Sequence, residues 1–444
     1  MELLFLVLAV VVIIFLTTRL KIHPFLALFA VSVFYGLGVG MPYSDIIVSI
    51  NDGFGNTLGK IGLIIFLGVI IGAFLENTGG AFSIAEKVLK IIGSKRVPTA
   101  MGIIGYIVSI PVFADSGYLL LHPLNKSLSK KAKISLAGAA VALGLGLLAS
   151  HTLVPPTPGP IAAAGILGAD LGLVIAIAFP ISILGLAASI YYAKRYAAKT
   201  YINPDLDDRY KEQKTKDPKD SPSAGMAAIP ILVPILLIVM KSVLNPERSG
   251  WDNGFIQLIQ FLGEPVIALS IGVLLCLLLP QKLDKNMLSS AGWVGQAVKD
   301  AASIVLITGA GGIFGSILQN SGIAEVLGES LTGYNLGIFL PFILAAALKT
   351  AQGSSTVALI TAASIIFPMM PSLGFDSEID KALVVVALGA GSSVVSHAND
   401  SFFWVVTQLS GMDVKTGYRL FSTGTLVLGT SAAIGVFIAQ MILG

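Results

Sequence analysis

The segment that decides the fold reads ISLAGAAVALGLGLLASHTLVPPTPGPIAAAGILG at residues 134–168. It is apolar enough to cross a membrane, but four prolines and His151 interrupt it at residues 151–160. Proline removes a backbone donor and cannot continue a helix, so we expect two half-helices joined by an extended break. Irregular backbone at membrane depth is tolerated only where it is buried in protein or lines a water-filled cavity. The break therefore indicates a functional site inside a membrane protein.

The composition of the whole chain agrees with that interpretation. Of its 444 residues 55% are hydrophobic and only 12% are charged, and the mean hydropathy is +0.86. Soluble domains carry about 25% charged residues. The pattern of apolar runs predicts an all-α polytopic protein with about ten full transmembrane helices. These spans are expected at residues 2–18, 24–41, 60–76, 134–168, 170–193, 226–244, 263–280, 300–319, 382–408 and 420–443.

The distribution of Lys and Arg predicts which loops face the cytoplasm. Basic residues cluster at 19–21, 87–96, 126–133, 194–219, 281–285 and 415–419. The positive-inside rule places these segments on the cytoplasmic side. The linker 194–225 is then a cytoplasmic connector. The loops 42–59, 245–262 and 320–335 and both termini fall outside.

Two apolar segments fit this topology only as re-entrant hairpins. Residues 97–125 have basic flanks on both sides and are too short for two crossings, so the chain is expected to enter and return. Residues 336–371 contain the turn-prone sequence KTAQGSST and have flanks poor in basic residues. This second hairpin is therefore expected to enter from the opposite side.

The two halves of the chain resemble each other weakly. Asn77 and Asn320 are 243 positions apart, and His151 and His397 are 246 positions apart. The topology makes the halves, 1–193 and 226–444, inverted repeats, with a second broken helix at 382–408. Inverted repeats with interrupted helices at equivalent places are typical of secondary transporters, which bind substrate near the midplane.

The interrupted segments carry groups that suit a small polar anion. Half-helix N-termini expose unpaired N–H groups with partial positive charge, and nearby hydroxyl and amide groups suit the hydroxyls of a ligand. The candidate substrate-binding residues are Asp115, Ser116, Gly117, Ser150, His151, Thr152, Gly353, Ser354, Ser355, Thr356, His397 and Asn399. This set fits a sugar acid or hydroxycarboxylate, and it leaves an amino acid open.

Four ionisable residues are candidates for proton coupling: Asp115, His151, His397 and Asp400. An ionised carboxylate at membrane depth costs several kcal/mol unless it is paired, and histidine changes its charge near neutral pH. Each residue also has a structural alternative. The carboxylates can cap the following half-helix, and the histidines can hold the breaks in shape.

Asn77, Asn320 and Lys349 are secondary candidates. The two asparagines lie at span ends just before a glycine, where they can also act as C-terminal caps. Lys349 precedes the second hairpin tip, where it can face a substrate carboxylate or extend towards an interface.

The sequence contains no pattern typical of an enzyme or of another energy source. It has no metal-ligand His/Cys cluster, no HExxH or GxSxG motif and no nucleotide-binding cassette. The glycine-rich run at 309–315 lacks the Lys-Ser/Thr of a phosphate loop and is expected to allow close helix packing. We therefore expect no enzyme activity, no cofactor or metal and no nucleic-acid partner.

Three motifs resemble those of the gluconate permease family, whose members are proton symporters for gluconate and related sugar acids. They are HTLVPPTPGPIAAAGILGADLG at 151–172, QGSSTVA at 352–358 and SHANDSFFW at 396–404, and the likeness extends over essentially the whole chain. The resemblance implies a multi-pass protein of a bacterial inner membrane with an ion transporter superfamily fold. In that fold a hairpin-containing domain moves against a scaffold as an elevator, usually in a homodimer.

Some positions differ from the pattern of the family. The chain has Asp115-Ser116-Gly117 where a Val-Gly pair usually follows the acid, Thr157 where histidine is frequent, and Lys349 where arginine is frequent. We expect import of gluconate or a related small sugar acid with protons. D-serine, glycerate and sodium coupling stay open within the family, and an anion channel is the alternative from another class.

Overall fold

A computed structural model describes residues 2–93, 96–204, 221–244, 253–322 and 336–443. All regular elements in these ranges are helical. The α-helices are α1 Glu2–Thr18, α2 Pro24–Gly38, α3 Tyr43–Thr78, α4 Gly80–Ile92, α5 Val97–Val108, α6 Ala114–Lys131, α7 Leu136–Leu153, α8 Pro158–Leu167, α9 Leu171–Arg195, α10 Ala224–Val243, α11 Gly254–Leu262, α12 Pro265–Cys276, α13 Trp293–Asn320, α14 Phe339–Gln352, α15 Ser355–Ile366, α16 Glu378–Ser392, α17 Ser401–Leu409, α18 Val414–Gly417 and α19 Thr423–Leu443.

The first broken helix consists of α7 and α8, and the prolines set where it breaks. Ser135 accepts a hydrogen bond from the backbone N–H of Ala137 at the start of α7. The chain then leaves the helix at Val154 and passes through the cis Pro155–Pro156 bond. Pro158 begins α8, because its missing N–H is unneeded at a first helical position. Nearly every residue of both half-helices is buried.

The second broken helix consists of α16 and α17, separated by residues 393–400. A capping box of Ser377 and Asp380 starts α16. Asp400 starts α17 by accepting the backbone N–H of Phe402 at 3.0 Å. Each broken helix therefore presents a half-helix N-terminus at its break.

The hairpins are two further pairs of short helices. In the first, α5 and α6 are joined at residues 109–113, and α6 continues to Lys131, past the expected end at 125. In the second, α14 and α15 are joined by Gly353 and Ser354. Gly353 has φ +88°, a conformation that glycine adopts without the steric cost of a side chain.

The hairpins and broken helices pack against each other reciprocally. Within the first half of the chain α5 packs on α7, and within the second α14 packs on α16. Across the halves α15 packs on α8, and α6 packs on α17. The long helices α3 and α13 lie side by side next to this group and cross closely at Gly53 and Gly312.

Several boundaries differ from the sequence-based expectation. Residues 42–59 are not a loop, because α3 runs unbroken from Tyr43 and its polar residues lie on an exposed face. The span expected at 263–280 is shorter and meets α11 at a bend of 70°. Residues 205–220 of the linker 194–225 and residues 323–335 of the loop 320–335 lie outside the described residues.

Six of the described helical segments are long and apolar enough to cross a membrane, or up to seven if the bent pair α11–α12 is one span. The first broken helix counts as one of the six. α1, α2 and three hairpin arms, α5, α14 and α15, are apolar but shorter. The figure of about ten full spans therefore stays a prediction.

Candidate functional site

A buried ion pair joins the second hairpin to the second break. The Lys349 ammonium, in the last turn of α14, donates to the Asp400 carboxylate at 2.6 Å and also to the carbonyl oxygen of Gly353. The Lys349 side chain is fully buried and that of Asp400 is 7% exposed. The hydroxyl of Ser396 donates to the same carboxylate oxygen at 2.5 Å. Lys349 therefore lies in the protein interior and does not extend towards an interface.

Asp115 lies in the first turn of α6, close to this pair. Its carboxylate is beside Ser401, the first residue of α17, and within electrostatic range of both Asp400 and Lys349. One of its oxygens is buried and has no hydrogen-bond partner among the described residues. A buried carboxylate oxygen without a partner is costly, so Asp115 is available for a proton, an ion or a ligand.

His151 belongs to the same cluster from the side of the first break. It too lies within electrostatic range of Asp400 and Lys349, and its Nδ1 has no partner among the described residues. The ring packs edge-on to Phe113 of the first hairpin tip, with 6.1 Å between centroids. It lines a narrow recess together with Gly68, Pro111 and Thr157.

The neighbours of His151 make different contacts. Ser150 and Thr152 are buried, and their hydroxyls donate to carbonyls of the preceding turn, at Leu147 and Leu148. Both hydroxyls therefore donate their hydrogen bonds within α7 in this conformation.

His397 and Asn399 tie the second break to the second hairpin. His397 Nε2 donates to the carbonyl oxygen of Thr350 at 2.7 Å, since a carbonyl can only accept. The Asn399 amide donates to the carbonyl oxygens of Thr350 and Ala351 at 2.9 and 3.0 Å. These carbonyls end α14 and have no intrahelical partner to accept from. Both side chains therefore hold the hairpin tip in place.

The remaining candidates at the second tip start α15. The Ser354 hydroxyl accepts the backbone N–H of Val357 at 3.3 Å and so caps the helix. Ser355 and Thr356 form its first turn. A Cβ added at Gly159 of α8 would lie 3.8 Å from the Cα of Thr356, so the N-termini of α8 and α15 are neighbours.

Some candidates lie away from the cluster or serve packing. Gly117 allows α6 to approach α7, because a Cβ there would lie 2.6 Å from the side chain of Leu147. Ser116 is half-buried beside it. Asn77 donates to Ala73 of its own helix at 2.8 Å, and Asn320 donates to Ser49 at 2.8 Å. Within the described residues these hydrogen bonds of the two asparagines reach neither hairpin.

Gln352 was not among the candidates, although it stands at the second hairpin tip. Both polar atoms of its amide are buried and have no partner among the described residues. Its place before Gly353, at the end of an apolar helix, was a usable signal. Buried polar groups in folded proteins are almost always hydrogen-bonded, so Gln352 is an additional group for a ligand.

The elements around the cluster can bind a small anion. The N-termini of α6 and α17 are neighbours, as are those of α8 and α15, and each supplies unpaired N–H groups. The charges that meet there are one ammonium, Lys349, and two carboxylates, Asp115 and Asp400. The described residues hold no group of three or more metal-type ligands.

Comparison with known proteins gives relatives along the whole chain. A gluconate permease of Pseudomonas aeruginosa is 32% identical over 96% of this chain and 95% of its own length. The D-serine transporter DsdX of Escherichia coli is 32% identical over 99% of this chain and 98% of its own length.

A solved structure, that of the Alcanivorax borkumensis YdaH transporter, matches the fold with a TM-score of 0.62. It covers 88% of either chain at 13% sequence identity, so this likeness concerns the fold alone. The model of the GntP family permeases matches residues 1–442. The chain therefore belongs to the GntP family of permeases and is a multi-pass membrane transport protein.

Proposed function

We propose that this permease imports gluconate or a related small hydroxycarboxylate together with protons. The observation that carries the proposal is the meeting of Asp115, His151 and the Lys349–Asp400 pair where the N-termini of four half-helices converge. Half-helix N-termini suit the substrate carboxylate. The amide of Gln352, which lacks a partner, suits substrate hydroxyls.

The charge of the cluster explains why a proton accompanies the anion. Lys349 contributes +1, and Asp115 and Asp400 contribute −1 each when ionised, which gives −1 in total. An anionic substrate bound to that state would bring the total to −2 in a low-dielectric site. Protonation of Asp115 first makes the cluster neutral, so that substrate binding restores −1. Asp115 therefore takes the proton, and binding is ordered with the proton before the anion.

Asp400 is less suited to that role than Asp115. Its two oxygens already accept hydrogen bonds from Lys349, Ser396 and the N–H of Phe402, whereas Asp115 has an oxygen with no partner among the described residues. His397 is likewise engaged through Nε2 by the carbonyl of Thr350. Nδ1 of His151 has no hydrogen-bond partner among the described residues, so His151 is the second candidate for carrying a proton or contacting substrate.

The reciprocal packing of hairpins and broken helices supports two inverted repeats, residues 1–193 and 226–444. Each hairpin packs on the broken helix of its own half, and its second arm packs on the broken helix of the other half as well. Such an arrangement suits a unit that moves as one body against the remaining helices. The proposal includes an elevator-type movement, a homodimer in a bacterial inner membrane, and a cytoplasmic linker with both termini outside.

The names of the relatives define the substrate panel. They include gluconate permeases and a D-serine transporter, so a sugar acid and a zwitterionic amino acid are both to be tested. Glycerate represents a shorter hydroxy acid. Sodium is the alternative coupling ion, and an anion channel is the alternative mechanism.

The test is uptake into proteoliposomes of labelled gluconate, glycerate and D-serine, with proton and sodium gradients imposed separately. We expect an inward proton gradient to drive accumulation of gluconate or another hydroxycarboxylate, and a sodium gradient to have no effect. Counterflow from liposomes preloaded with unlabelled substrate distinguishes a carrier from a channel. Accumulation of no panel member under either gradient would exclude the symporter.

A further inference from the structure

The second arm of the first hairpin carries a line of buried polar side chains that the proposed binding site does not use. It begins at Asp115 and continues through Tyr118, His122, Asn125 and Ser129. The successive steps of three, four, three and four residues keep all five on one face of α6. At 1.5 Å per residue the line is about 21 Å long, more than half the thickness of the hydrocarbon core.

Beyond Asp115, which is half-buried, this polar line is fully inside the protein. Tyr118, Asn125 and Ser129 have no exposed surface, and His122 is 8% exposed. The Tyr118 hydroxyl bonds to that of Ser410 at 2.7 Å, and its ring stacks on His122 with 5.8 Å between centroids. The part of the line nearer Asp115, here called its upper part, is therefore ordered by contacts within the protein.

In the lower part of the line, nearer Lys130, the polar side chains lack hydrogen-bond partners among the described residues. Both polar atoms of the Asn125 amide and the Ser129 hydroxyl have no hydrogen-bond partner among the described residues. The Thr99 hydroxyl, on the antiparallel arm α5, is in the same situation. A buried polar group without a partner costs about 1–3 kcal/mol. Water is the partner that buried groups of this kind normally find, and ordered water between polar side chains carries protons.

The two ends of the line are appropriate for proton movement. At the upper end the ionisable groups that approach Asp115 from other elements are Lys349 and Asp400, and His151 lies within electrostatic range of the same pair. At the lower end α6 finishes with Lys130 and Lys131, which the positive-inside rule assigns to the cytoplasmic side. The line therefore connects the proposed proton acceptor with the cytoplasm.

We infer that the Asn125–Ser129 end of α6 forms a water-filled passage through which the proton on Asp115 leaves for the cytoplasm. The inference rests on the proposed proton coupling. Tyr118 and His122 connect Asp115 to the passage, and Asn125 and Ser129 hold its water. The passage serves the proton alone, because the substrate leaves with the movement of the hairpin domain.

The first test measures whether water reaches Asn125, and it does not depend on the coupling ion. Cys276, the single cysteine, is replaced by alanine, and Asn125→Cys, Leu121→Cys and Leu128→Cys are made in that background. A charged, membrane-impermeant methanethiosulfonate is applied from the cytoplasmic side. Only a hydrated thiol ionises and reacts, so Asn125→Cys should react more than an order of magnitude faster than either control.

Leu121 and Leu128 bracket Asn125 in depth, about one helical turn to either side of it, and are buried at 0% and 8% exposure. Leu128 is nearer the lysine-rich end than Asn125. Faster reaction at the deeper position 125 therefore requires a local passage and excludes general loosening of the helix. Reaction of Asn125→Cys no faster than that of Leu128→Cys would overturn the inference.

The second test separates proton release from substrate exchange in the full-length protein. Asn125→Leu keeps the volume and removes the polar groups, and Asn125→Ser is the conservative control. Proton entry is followed with a pH-sensitive dye inside proteoliposomes while gluconate is added. We expect Asn125→Leu to reduce substrate-driven proton entry and net accumulation by more than an order of magnitude. Counterflow, which needs no proton release, should stay within about twofold of the parent, and Asn125→Ser should retain both activities.

The possible failures are distinguishable. Equal loss of counterflow and net uptake in Asn125→Leu shows that the residue is structural, and normal net uptake shows that no proton passes there; either result overturns the inference. If the parent protein moves no protons with any substrate, the proposed coupling fails. The cysteine experiment then still decides whether the passage exists.

Discussion

The two helical hairpins are built alike but are held by different forces. The tip of the first fits against α3 by shape: a Cβ added at Gly72 would lie 2.1 Å from the carbonyl oxygen of Pro111. The tip of the second is held by polar groups, namely the Lys349–Asp400 pair and the bonds from His397 and Asn399. At the first tip one oxygen of the Asp115 carboxylate has no hydrogen-bond partner among the described residues, whereas at the second tip the polar groups around Lys349 bond to each other.

We propose that this difference gives the hairpins separate tasks. A group that must gain and lose a proton needs unused hydrogen-bonding capacity, which the first hairpin has at Asp115. A gate that closes over substrate needs bonds that form and break together, which the second hairpin has around Thr350 and Gly353. The second arm of the first hairpin, α6, carries the polar line along its length, whereas the corresponding arm of the second hairpin, α15, has a mainly apolar sequence.

The largest effect is expected at the buried pair of the second hairpin. Lys349→Met leaves Asp400 ionised and unpaired in a buried site, and breaking such a pair costs about 3–5 kcal/mol. We expect little folded protein, measured as the monodisperse fraction and midpoint of thermal unfolding in detergent. Lys349→Met combined with Asp400→Asn removes both charges and should recover most of the folded fraction.

The matched control is Lys381→Met, which removes an exposed ammonium 2.7 Å from Glu378. Exposed pairs contribute about 0–1 kcal/mol, so its unfolding midpoint should barely change. If the single variant Lys349→Met is as stable as this control, the second hairpin is not held by charge.

The next effect concerns the first hairpin and activity, with stability preserved. Asp115→Asn is permanently neutral, so it mimics the protonated state and should bind and exchange substrate. It cannot couple to a proton gradient, and a carrier without coupling only equilibrates its substrate, so the accumulation ratio should fall to about one. Ser116→Ala, in the same helical turn, should accumulate substrate normally. Concentrative uptake by Asp115→Asn would move the proton site to another residue.

A backbone substitution tests whether the second tip must meet the second break closely. Gly353 has φ +88°, and a Cβ there would lie 2.2 Å from the carbonyl oxygen of Asn399. Gly353→Ala should therefore combine a left-handed strain of about 1–2 kcal/mol with a clash that displaces the tip, and uptake should fall severely. Gly374 has φ +74° with nothing within 4 Å of a Cβ, so Gly374→Ala reports the strain alone. Equal uptake in the two variants would show that contact between tip and break is dispensable.

The sequence indicates where helices are interrupted, but it does not indicate which side chains bond to each other. Prolines, glycines and charged flanks locate the breaks at 154–157 and 393–400 and the hairpin tips, because these signals act within a few residues. The Lys349–Asp400 pair joins residues 51 positions apart, and no local pattern encodes it. Residues 42–59 look like a loop because Asn51, Asp52 and Asn56 are polar. In the structure that polarity lies along one face of α3.

The partners of single side chains were also beyond the sequence. In the proposed repeat His397 corresponds to His151, yet the His397 imidazole bonds to a carbonyl, whereas Nδ1 of His151 has no partner among the described residues. This difference arises from which element each break meets in three dimensions. The polar line on α6 was readable from the spacing of its residues. Its significance depends on burial, which spacing alone does not give.

A glycine-to-alanine pair on α3 tests the shape-based docking of the first hairpin. Alanine is favoured over glycine inside a helix by about 1 kcal/mol, so an unhindered substitution should stabilise slightly. Gly62→Ala meets only the Cβ of Leu58 at 3.8 Å and should raise or preserve the unfolding midpoint. Gly72→Ala meets the Pro111 carbonyl and should lower the midpoint and slow proton-driven uptake. Similar midpoints for both variants would contradict docking by shape.

The smallest effect is expected from a single polar tie of the second hairpin. Asn399→Ala removes two hydrogen bonds to the carbonyls that end α14. Each is worth about 0.5–1.5 kcal/mol at most, and the side chain is exposed, so water replaces part of the loss. Hydrogen exchange should rise at the tip of the second hairpin and stay unchanged at the first. Asn77→Ala removes an exposed amide that bonds only within α3 and should alter neither tip. If Asn399→Ala loosens both hairpins equally, the two are held as one unit and their tasks are not separate.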